Sequence, residues 1–352
     1  MDAVKILGAG PAGLTAAITL ARAGRDVIVY ERAADVGTHH EGDPEAVENW
    51  TLDIDFVDEL ASWGLTPNFH CAPIYAGTWF GPGFRDEATV RDSHPIFYLV
   101  LRGPLPGSLD RGLLSQARDI GVEVRFNCPA EPADVDIVSG GAAHPRAYGV
   151  GYNFKTSAPN AACICYDDRL TPGTFSYLAF CEGQGAIVAV AFAPLRGVKE
   201  RLPRIVEGFR SRLEFDMQEP TYFAATVGFN LPQSAQPDGK LYAGEAGGFQ
   251  DFFAGFGIRM AMTTGYLAAR SLLEGLDYDE LWRPRFGPLM RAAVVNRWLQ
   301  EVFGDYGYPF MLWHLRRHAD AGRAIIHRHY YPNWYTTLLW PLAKRKLGAG
   351  SQ

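Results

Sequence analysis

Short apolar runs and helical patterns alternate at the start of the chain. Residues 3–7 and 26–30 are mostly apolar and have the length of strands, while residues 14–23 between them form an alanine-rich helical pattern that ends at Gly24. Two parallel strands need a crossover connection, which is usually a helix. Residues 3–30 therefore predict a strand–helix–strand unit of a parallel sheet.

A different pattern occupies the middle of the chain. Short β-branched and aromatic runs, separated by turn residues, lie at 161–166, 175–180 and 186–192. Apolar positions at helical spacing follow over 198–213, and another strand pattern follows over 222–229. Short strands joined by turns are typical of an antiparallel sheet, so this region predicts a second structural unit.

The last part of the chain combines a helical pattern with aromatic and basic residues. Residues 279–303 repeat apolar positions at helical spacing, and Pro284 and Pro288 predict a break before Leu289 because proline disrupts a helix interior. Rings mixed with cations suit the headgroup level of a bilayer, although a cavity lid or a dimer surface would also account for them. The residues are Tyr306, Tyr308, Phe310, Trp313, Arg316, Arg317, Arg323, Arg328, Tyr330, Tyr331, Trp334, Tyr335, Trp340, Lys344, Arg345 and Lys346.

Composition and charge exclude several classes of protein. Of the 352 residues, 47% are hydrophobic and 20% are charged, a composition that is typical of globular proteins and excludes a disordered chain. Their net charge is −6, but residues 276–352 contain eleven Lys/Arg and six Asp/Glu and are net +5, which leaves −11 on the remainder. An acidic body argues against nucleic acid as a partner, because nucleic-acid binders need a surplus of Lys and Arg.

The cysteines and the chain start predict a cytoplasmic location. Five cysteines without a C-x-x-C pair suit neither a disulfide framework nor a zinc site and favour a reducing compartment. The glycine-rich turn begins at Gly8, which leaves no room for a secretory segment. No uninterrupted apolar stretch reaches the roughly 18 residues that a membrane-spanning helix needs.

The turn at Gly8 carries the strongest chemical signal. Gly8, Gly10 and Gly13 have the spacing G-x-G-x-x-G, which allows a tight turn, a close approach to a pyrophosphate and close packing of helix on strand. The positive end of the following helix then faces the phosphates, and Glu31 can accept both hydroxyls of an adenosine ribose, which favours FAD or NAD. The predicted residues of this site are Gly8, Gly10, Pro11, Ala12, Gly13, Glu31 and Arg32.

The motif at the extreme N-terminus, continued by Glu31, Arg32 and Gly37, resembles the flavoprotein family that includes para-hydroxybenzoate hydroxylase and the geranylgeranyl reductases. Residues 97–102, 109–114 and 121–124 resemble its strand ending in an arginine, its helix and its next sheet strand. The resemblance therefore implies that Arg102 contacts a flavin.

A later segment, residues 240–273, resembles the second FAD motif of the same family. Glu245 stands where the family usually has an aspartate that binds the ribityl chain, and the helix that follows would face the flavin with its N-terminus. The resemblance implies bound FAD, reduced by NAD(P)H or by a reduced carrier protein. It assigns Gly244, Glu245, Gly255, Phe256, Gly257 and Ile258 to the cofactor site.

Several family landmarks are changed. Gly140 stands where aromatic hydroxylases have an aspartate that supports contacts to FAD and NADPH, and the loop at 37–44 lacks the cysteine common in the reductases. The reductase substrate signature is altered at Ala179 and Cys181, which replace tryptophan and proline. His40, Tyr177 and Cys181 are the candidate catalytic residues by motif position, and we expect no metal at the His39–Asp43 loop because adjacent residues rarely share one ion.

The predicted fold is α/β, with a Rossmann-type FAD-binding domain like that of para-hydroxybenzoate hydroxylase, an inserted antiparallel-sheet substrate domain and a C-terminal helical segment. The predicted limits are 1–60, 96–147 and 238–275 for the first, 61–95 and 148–237 for the second, and 276–352 for the third.

The predicted function is reduction of carbon–carbon double bonds of a small apolar, isoprenoid-like substrate by hydride transfer from reduced flavin. Two alternatives stay open: an FAD-dependent monooxygenase acting on an aromatic or apolar substrate, and a non-redox cyclase or isomerase resembling the lycopene cyclases. Residues 276–352 would provide peripheral membrane contact, so truncation after Gly304 is expected to reduce liposome binding more than FAD content.

Overall fold

The computed structural model describes residues 2–141, 147–192 and 197–348, without the side chains of residues 192 and 346–348. Parts of the predicted domains at residues 142–146, 193–196 and 349–352, and the side chain of Lys346, lie outside the described residues. In chain order the elements are β1 (Val4–Leu7), α1 (Pro11–Arg22), β2 (Val27–Tyr30), β3 (Pro44–Glu48), α2 (Phe56–Ser62), β4 (Cys71–Ile74), β5 (Ala76–Phe80), β6 (Glu87–Arg91), β7 (Phe97–Leu101), α3 (Leu109–Asp119), β8 (Glu123–Arg125), β9 (Ile137–Val138), β10 (Ala147–Lys155), β11 (Ala161–Cys165), β12 (Ser176–Cys181), β13 (Gln184–Phe192), α4 (Val198–Arg210), β14 (Gln218–Val227), β15 (Leu241–Tyr242), α5 (Ile258–Glu274), α6 (Tyr278–Arg317), α7 (Gly322–Tyr330) and α8 (Trp334–Gly348).

The strand–helix–strand start of the chain belongs to a five-stranded parallel sheet, in the order β15-β9-β1-β2-β8. The chain moves from β1 through β2 to β8 and then returns to β9 on the other side of β1. Such a reversal opens a crevice at the carboxyl ends of the central strands, where ligands of doubly wound folds bind. The predicted parallel sheet is therefore confirmed, and its crevice lies between β1 and β9.

The middle of the chain forms a seven-stranded sheet in the order β14-β10-β13-β12-β11-β5-β6. Its pairs are antiparallel except β11 with β5. Side chains alternate between its two faces, and Leu178 and Phe180 pack in one core cluster with Leu202 and Phe209 of α4. Tyr177 and its neighbours lie on the other face of the sheet, where they border a cavity.

A three-stranded antiparallel sheet has the order β3-β7-β4, and its strands all lie in the chain between β2 and β8 of the parallel sheet. Strand β4 falls within the predicted substrate domain, whereas β3 and β7 fall within the predicted FAD-binding domain. The domain limits therefore stay a prediction, since strands from both predicted domains share this sheet.

The predicted break before Leu289 is wrong. Helix α6 continues through Pro284 and Pro288, and its backbone leaves the helical region at Gly304, with φ 45° and ψ −136°. An interior proline costs about 3 kcal/mol, but burying one large apolar side chain gains about 1.5–3 kcal/mol. The side chains buried along this stretch, including Trp282 and Phe286, offset the proline cost.

The C-terminal helices are part of the fold. Leu312, Leu315 and Tyr330 are buried in the same hydrophobic cluster as the parallel sheet. A truncation after Gly304 would remove these buried side chains, so point substitutions on the surface are the sharper test of this segment. Within the described residues, no helix is both long and apolar enough to cross a bilayer.

Candidate functional site

A cavity of about 1930 Å³ opens at the carboxyl ends of the parallel sheet and extends beneath the seven-stranded sheet. All the residues predicted to bind the cofactor line it except Gly13. Of the three candidate catalytic residues, His40 and Tyr177 line it and Cys181 does not.

The glycine turn has the geometry of a phosphate cradle. Gly8 has φ +98°, which disfavours any other residue, and a Cβ on Gly13 would lie 2.0 Å from the carbonyl oxygen of Gly8. A Cβ on Gly10 would meet nothing within 4 Å, so the backbone there faces open space. No side chain caps the N-terminus of α1, which leaves its backbone N–H groups for an anion.

Glu31 is held at the mouth of this turn. Its two carboxylate oxygens accept hydrogen bonds of 2.8 Å from the backbone N–H groups of Ala9 and Ala33. Each oxygen keeps a further lone pair, and the carboxylate lines the cavity. The geometry therefore fits an acceptor for ribose hydroxyls, as the sequence predicts.

The second predicted motif lies on the facing wall of the cavity. Gly244 has φ +61°, and one carboxylate oxygen of Glu245 accepts a hydrogen bond of 2.5 Å from the backbone N–H of Gly228. The other oxygen would lie 3.9 Å from a Cβ on Gly141, which is an ordinary contact distance. Helix α5 begins after Gly257 without a side-chain cap, and its positive end faces the same space.

The glycine loop, residues 251–257 before α5, is held in shape by an aspartate that the sequence did not reveal. Asp251 is buried and accepts hydrogen bonds from the backbone N–H groups of Phe253 and Ala254 and from the Tyr330 hydroxyl. Burial raises the pKa of Asp251, against the lowering effect of these hydrogen bonds. An acid followed four residues later by a glycine turn is a weak signal, because the decisive partner, Tyr330, is far away in the chain.

Trp50, two residues after the end of β3, is a second residue that the sequence did not reveal. Its ring packs edge-on against Phe256 with 4.9 Å between ring centroids, and it lines the cavity. Its indole N–H is buried and has no acceptor within the described residues.

His40 belongs to a network of charged groups at the cavity wall. Its Nδ1 lies 2.8 Å from Asp43 Oδ2. Arg102 donates to Glu45 at 2.9 Å and to both oxygens of Asp110 at 2.9 and 3.1 Å. Burial and Arg102 lower the pKa of His40, but Glu45 and Asp43 outweigh them, so that the pKa lies above its ordinary value.

The guanidinium of Arg102 therefore forms ion pairs with two carboxylates, those of Glu45 and Asp110. Arg102 lines the cavity, and its partners Asp110 and Glu45 were not among the predicted residues. Ligand atoms of His40, Asp43 and Glu45 lie within 4.8 Å of one another, a spacing that a metal ion would accept.

Tyr177 and Cys181 lie on the same face of β12 but in different surroundings. Tyr177 lines the cavity, and burial raises its pKa well above the ordinary value. Cys181 is covered by β7, with its sulfur 3.7 Å from the carbonyl oxygen of Leu99, and burial raises its pKa to about 12. The structure does not bring Cys181 to the cavity, because the three-stranded sheet packs over that end of the strand.

The part of the cavity away from the glycine turns has apolar walls. The exposed face of the seven-stranded sheet provides one wall, with Trp79 on β5 and Val188 and Val190 on β13. Aromatic residues of a loop and of α6 provide another, with Phe175 and Tyr308 as its buried members. This arrangement joins a polar cradle to an apolar chamber.

Comparisons with known proteins agree with this architecture. A family model for NAD(P)-binding Rossmann-like domains matches residues 6–53. A geranylgeranyl bacteriochlorophyll reductase-like protein of Thermoplasma acidophilum superposes with a TM-score of 0.72 at 15% identity, covering 99% of this chain and 98% of that one. The chain has the geranylgeranyl reductase-like fold.

Other enzymes share this geranylgeranyl reductase-like fold. A flavin-dependent brominase superposes with a TM-score of 0.63 at 15% identity over 99% of both chains. A p-nitrophenol 4-monooxygenase of Pseudomonas putida superposes with a TM-score of 0.57 at 13% identity, covering 93% of this chain and 97% of that one. No curated protein sequence matches the chain. The predicted fold class is confirmed, and identities this low leave the reaction open.

Proposed function

We propose that the chain is an FAD-dependent oxidoreductase that acts on an apolar substrate. The observation that carries this proposal is the continuity of one cavity, which begins at the glycine cradle of β1 and α1 and ends in an apolar chamber under the seven-stranded sheet. A dinucleotide at one end and an apolar molecule at the other would meet between the glycine loop and Tyr177.

The residues of the cradle suit FAD. The N-terminus of α1 would hold the pyrophosphate, Glu31 the adenosine ribose, and Glu245 with the N-terminus of α5 the flavin end. When bound, FAD supplies a two-electron redox centre, reduced by NAD(P)H or by a reduced carrier. The protein would orient the cofactor and the substrate and keep water away from the chamber.

We infer that the substrate is an isoprenoid-like molecule and that one of its carbon–carbon double bonds is reduced. The apolar walls near Trp79 and Phe175 support an apolar substrate. Reduction of a double bond requires one hydride and one proton, and the proton is the part that a side chain supplies. Tyr177 holds its proton too firmly, because burial raises its pKa.

His40 is the better proton donor. Asp43 binds its Nδ1, whereas its Nε2 has no hydrogen-bond partner within the described residues. The raised pKa of His40 keeps the ring protonated to a higher pH than usual, and the ring lines the cavity. A protonated imidazole fixed through one nitrogen can donate from the other.

A monooxygenase is the second candidate, favoured by the fold shared with the p-nitrophenol 4-monooxygenase. The two reactions differ in their consumption of oxygen. We would photoreduce the purified holoprotein anaerobically and analyse the products formed from polyprenyl lipids and from small aromatic compounds, first without oxygen and then after oxygen is readmitted. A saturated product formed without oxygen supports the reductase, and a hydroxylated product with oxygen uptake supports the monooxygenase.

Turnover without net consumption of electrons would instead indicate the cyclase or isomerase alternative. Failure of the purified protein to retain any flavin would contradict the proposal as a whole. Flavin content, measured by absorbance after denaturation of the protein, is therefore the first measurement to make.

A further inference from the structure

The mouth of the apolar chamber is surrounded by exposed aromatic side chains. Phe303, Tyr306, Phe310 and Trp334, which we call the aromatic rim, line the cavity and are also exposed to solvent. Tyr306 is 95% exposed, Trp334 79% and Phe310 69%. Monomeric proteins rarely leave contiguous apolar surface of this kind uncovered, so the rim indicates a surface that meets a partner.

The rim continues along two packed helices. On α6, after its kink at Gly304, Tyr306, Phe310 and Trp313 recur every three or four residues, and Phe310 stacks on Trp313 with 5.5 Å between ring centroids. On α8, exposed Leu338 and Leu342 follow Trp334 at intervals of four residues. Helical spacing places such residues on one face of each helix, and α8 packs against α6.

The charge around this surface is positive. Residues 301–352, which carry the whole rim, contain seven Lys/Arg and three Asp/Glu and are net +4, and residues 321–352 contain no Asp or Glu. The guanidinium of Arg317 lies over the Trp313 ring at 4.2 Å, and the ammonium of Lys344 lies over the Trp340 ring at 5.9 Å. Rings with cations beside them match the interfacial layer of a bilayer, where the rings enter the headgroup region and the cations meet anionic lipids.

We infer that the aromatic rim docks on the surface of an anionic lipid bilayer, with the chamber opening onto the membrane. An apolar substrate dissolved in the lipid would then enter the chamber without crossing water. The delivery of substrate rests on the proposed function, but the docking itself does not. Vesicle binding and flavin content are separate measurements, so failure of one proposal is distinguishable from failure of the other.

The test is flotation of the purified holoprotein with vesicles made of equal parts phosphatidylcholine and phosphatidylglycerol, compared with vesicles of phosphatidylcholine alone. The rim variant carries Tyr306→Ser, Phe310→Ser and Trp334→Ser. The matched control carries Tyr75→Ser, Leu231→Ser and Leu276→Ser, three exposed residues that do not line the cavity. Both variants must retain the thermal unfolding transition of the wild type.

We expect the wild type and the control to bind the anionic vesicles, and the rim variant to bind at least tenfold more weakly. A Lys344→Glu/Arg345→Glu variant is expected to lose the preference for anionic over neutral vesicles. The inference is overturned if the wild type does not float with anionic vesicles or if the rim variant binds as well as the control. A dimer that dissociates in the rim variant, without vesicle binding by the wild type, would assign the rim to a second copy of the chain and equally overturn it.

Discussion

The hydroxyl of Tyr330 donates a hydrogen bond of 3.0 Å to the buried carboxylate of Asp251. Asp251 lies at the start of the glycine loop that leads into α5, and Tyr330 is the last residue of α7. The same carboxylate accepts two backbone N–H groups of that loop. The C-terminal helices therefore fix the loop on which the proposed flavin site depends.

Substitution Tyr330→Phe removes this hydrogen bond and leaves the ring in place. A hydrogen bond to a charged group contributes about 1.5–3 kcal/mol, so we expect a loss of stability of this size and weaker retention of FAD. Chemical denaturation and flavin titration measure the two effects. Tyr75→Phe, at an exposed tyrosine, is the control, and an unchanged FAD affinity in Tyr330→Phe would show that the loop holds its shape without α7.

Local sequence signals predicted the parts of this site that depend on neighbouring residues. Gly8, Gly10 and Gly13 lie within one turn, and their spacing alone indicates the cradle that the structure shows. The kink of α6 gave no such signal. A Cβ on Gly304 would lie 2.0 Å from an oxygen of Asp168, a residue remote in the chain, and no local pattern encodes that contact.

The ion pairs of Arg102 likewise depend on contacts that local sequence signals do not encode. Arg102 was predicted from the resemblance to the flavoprotein family, in which a strand ends in an arginine, but its contact with Glu45 joins β7 to the neighbouring strand β3. Glu45 and Asp110 both accept hydrogen bonds from the guanidinium, and the contact with Glu45 follows from strand pairing instead of from spacing in the sequence. Strand order is set by long-range packing, so the sequence located the arginine without its partners.

Substitution Gly13→Ala tests the cradle. The added methyl group would lie 2.0 Å from the carbonyl oxygen of Gly8, so α1 must move away from the turn. We expect the purified variant to retain at least tenfold less flavin than the wild type, as measured by absorbance. Gly287→Ala is the matched control, because a Cβ there meets nothing within 4 Å, and equal flavin loss in both variants would contradict a specific role of the turn.

Substitution His40→Asn tests the proton donor. The amide can still bond Asp43 but cannot protonate a substrate, so we expect turnover to fall by about 10²-fold with flavin content unchanged. Turnover is measured as anaerobic oxidation of the photoreduced flavin by the substrate that product analysis identifies. His70→Asn, at a histidine outside the cavity lining, is the control.

The pH dependence separates a donor from a positioning residue. The pKa of His40 lies above 6.5, so the wild-type rate should be constant at lower pH and fall as the pH rises through that raised pKa. The slow residual rate of His40→Asn should lack this fall. A pH profile with the same fall in both proteins would show that another group donates the proton.

Glu48, at the end of β3, should make stability depend on pH. Its side chain is 1% exposed, and its Oε2 has no hydrogen-bond partner within the described residues. Burial raises the pKa of Glu48 to about 8, with Asp251 and Glu59 adding to the effect and Arg259 opposing it. The carboxyl is therefore protonated in the folded protein at neutral pH and ionised in the unfolded chain.

A folded-state pKa above the unfolded value means that the contribution of Glu48 to stability is fully present below about pH 4.5 and is lost as the pH rises through about 8. Glu48→Gln keeps the shape of the protonated acid and does not titrate. The variant should therefore gain stability relative to the wild type between about pH 5 and about pH 8, by roughly 2–4 kcal/mol, since each pH unit corresponds to about 1.4 kcal/mol. Urea denaturation at both pH values measures this gain, and Glu131→Gln, at an exposed acid, is the control. If the difference between Glu48→Gln and the wild type were the same at both pH values, Glu48 would have to be ionised in the folded protein, and Arg259 would then have to compensate its charge.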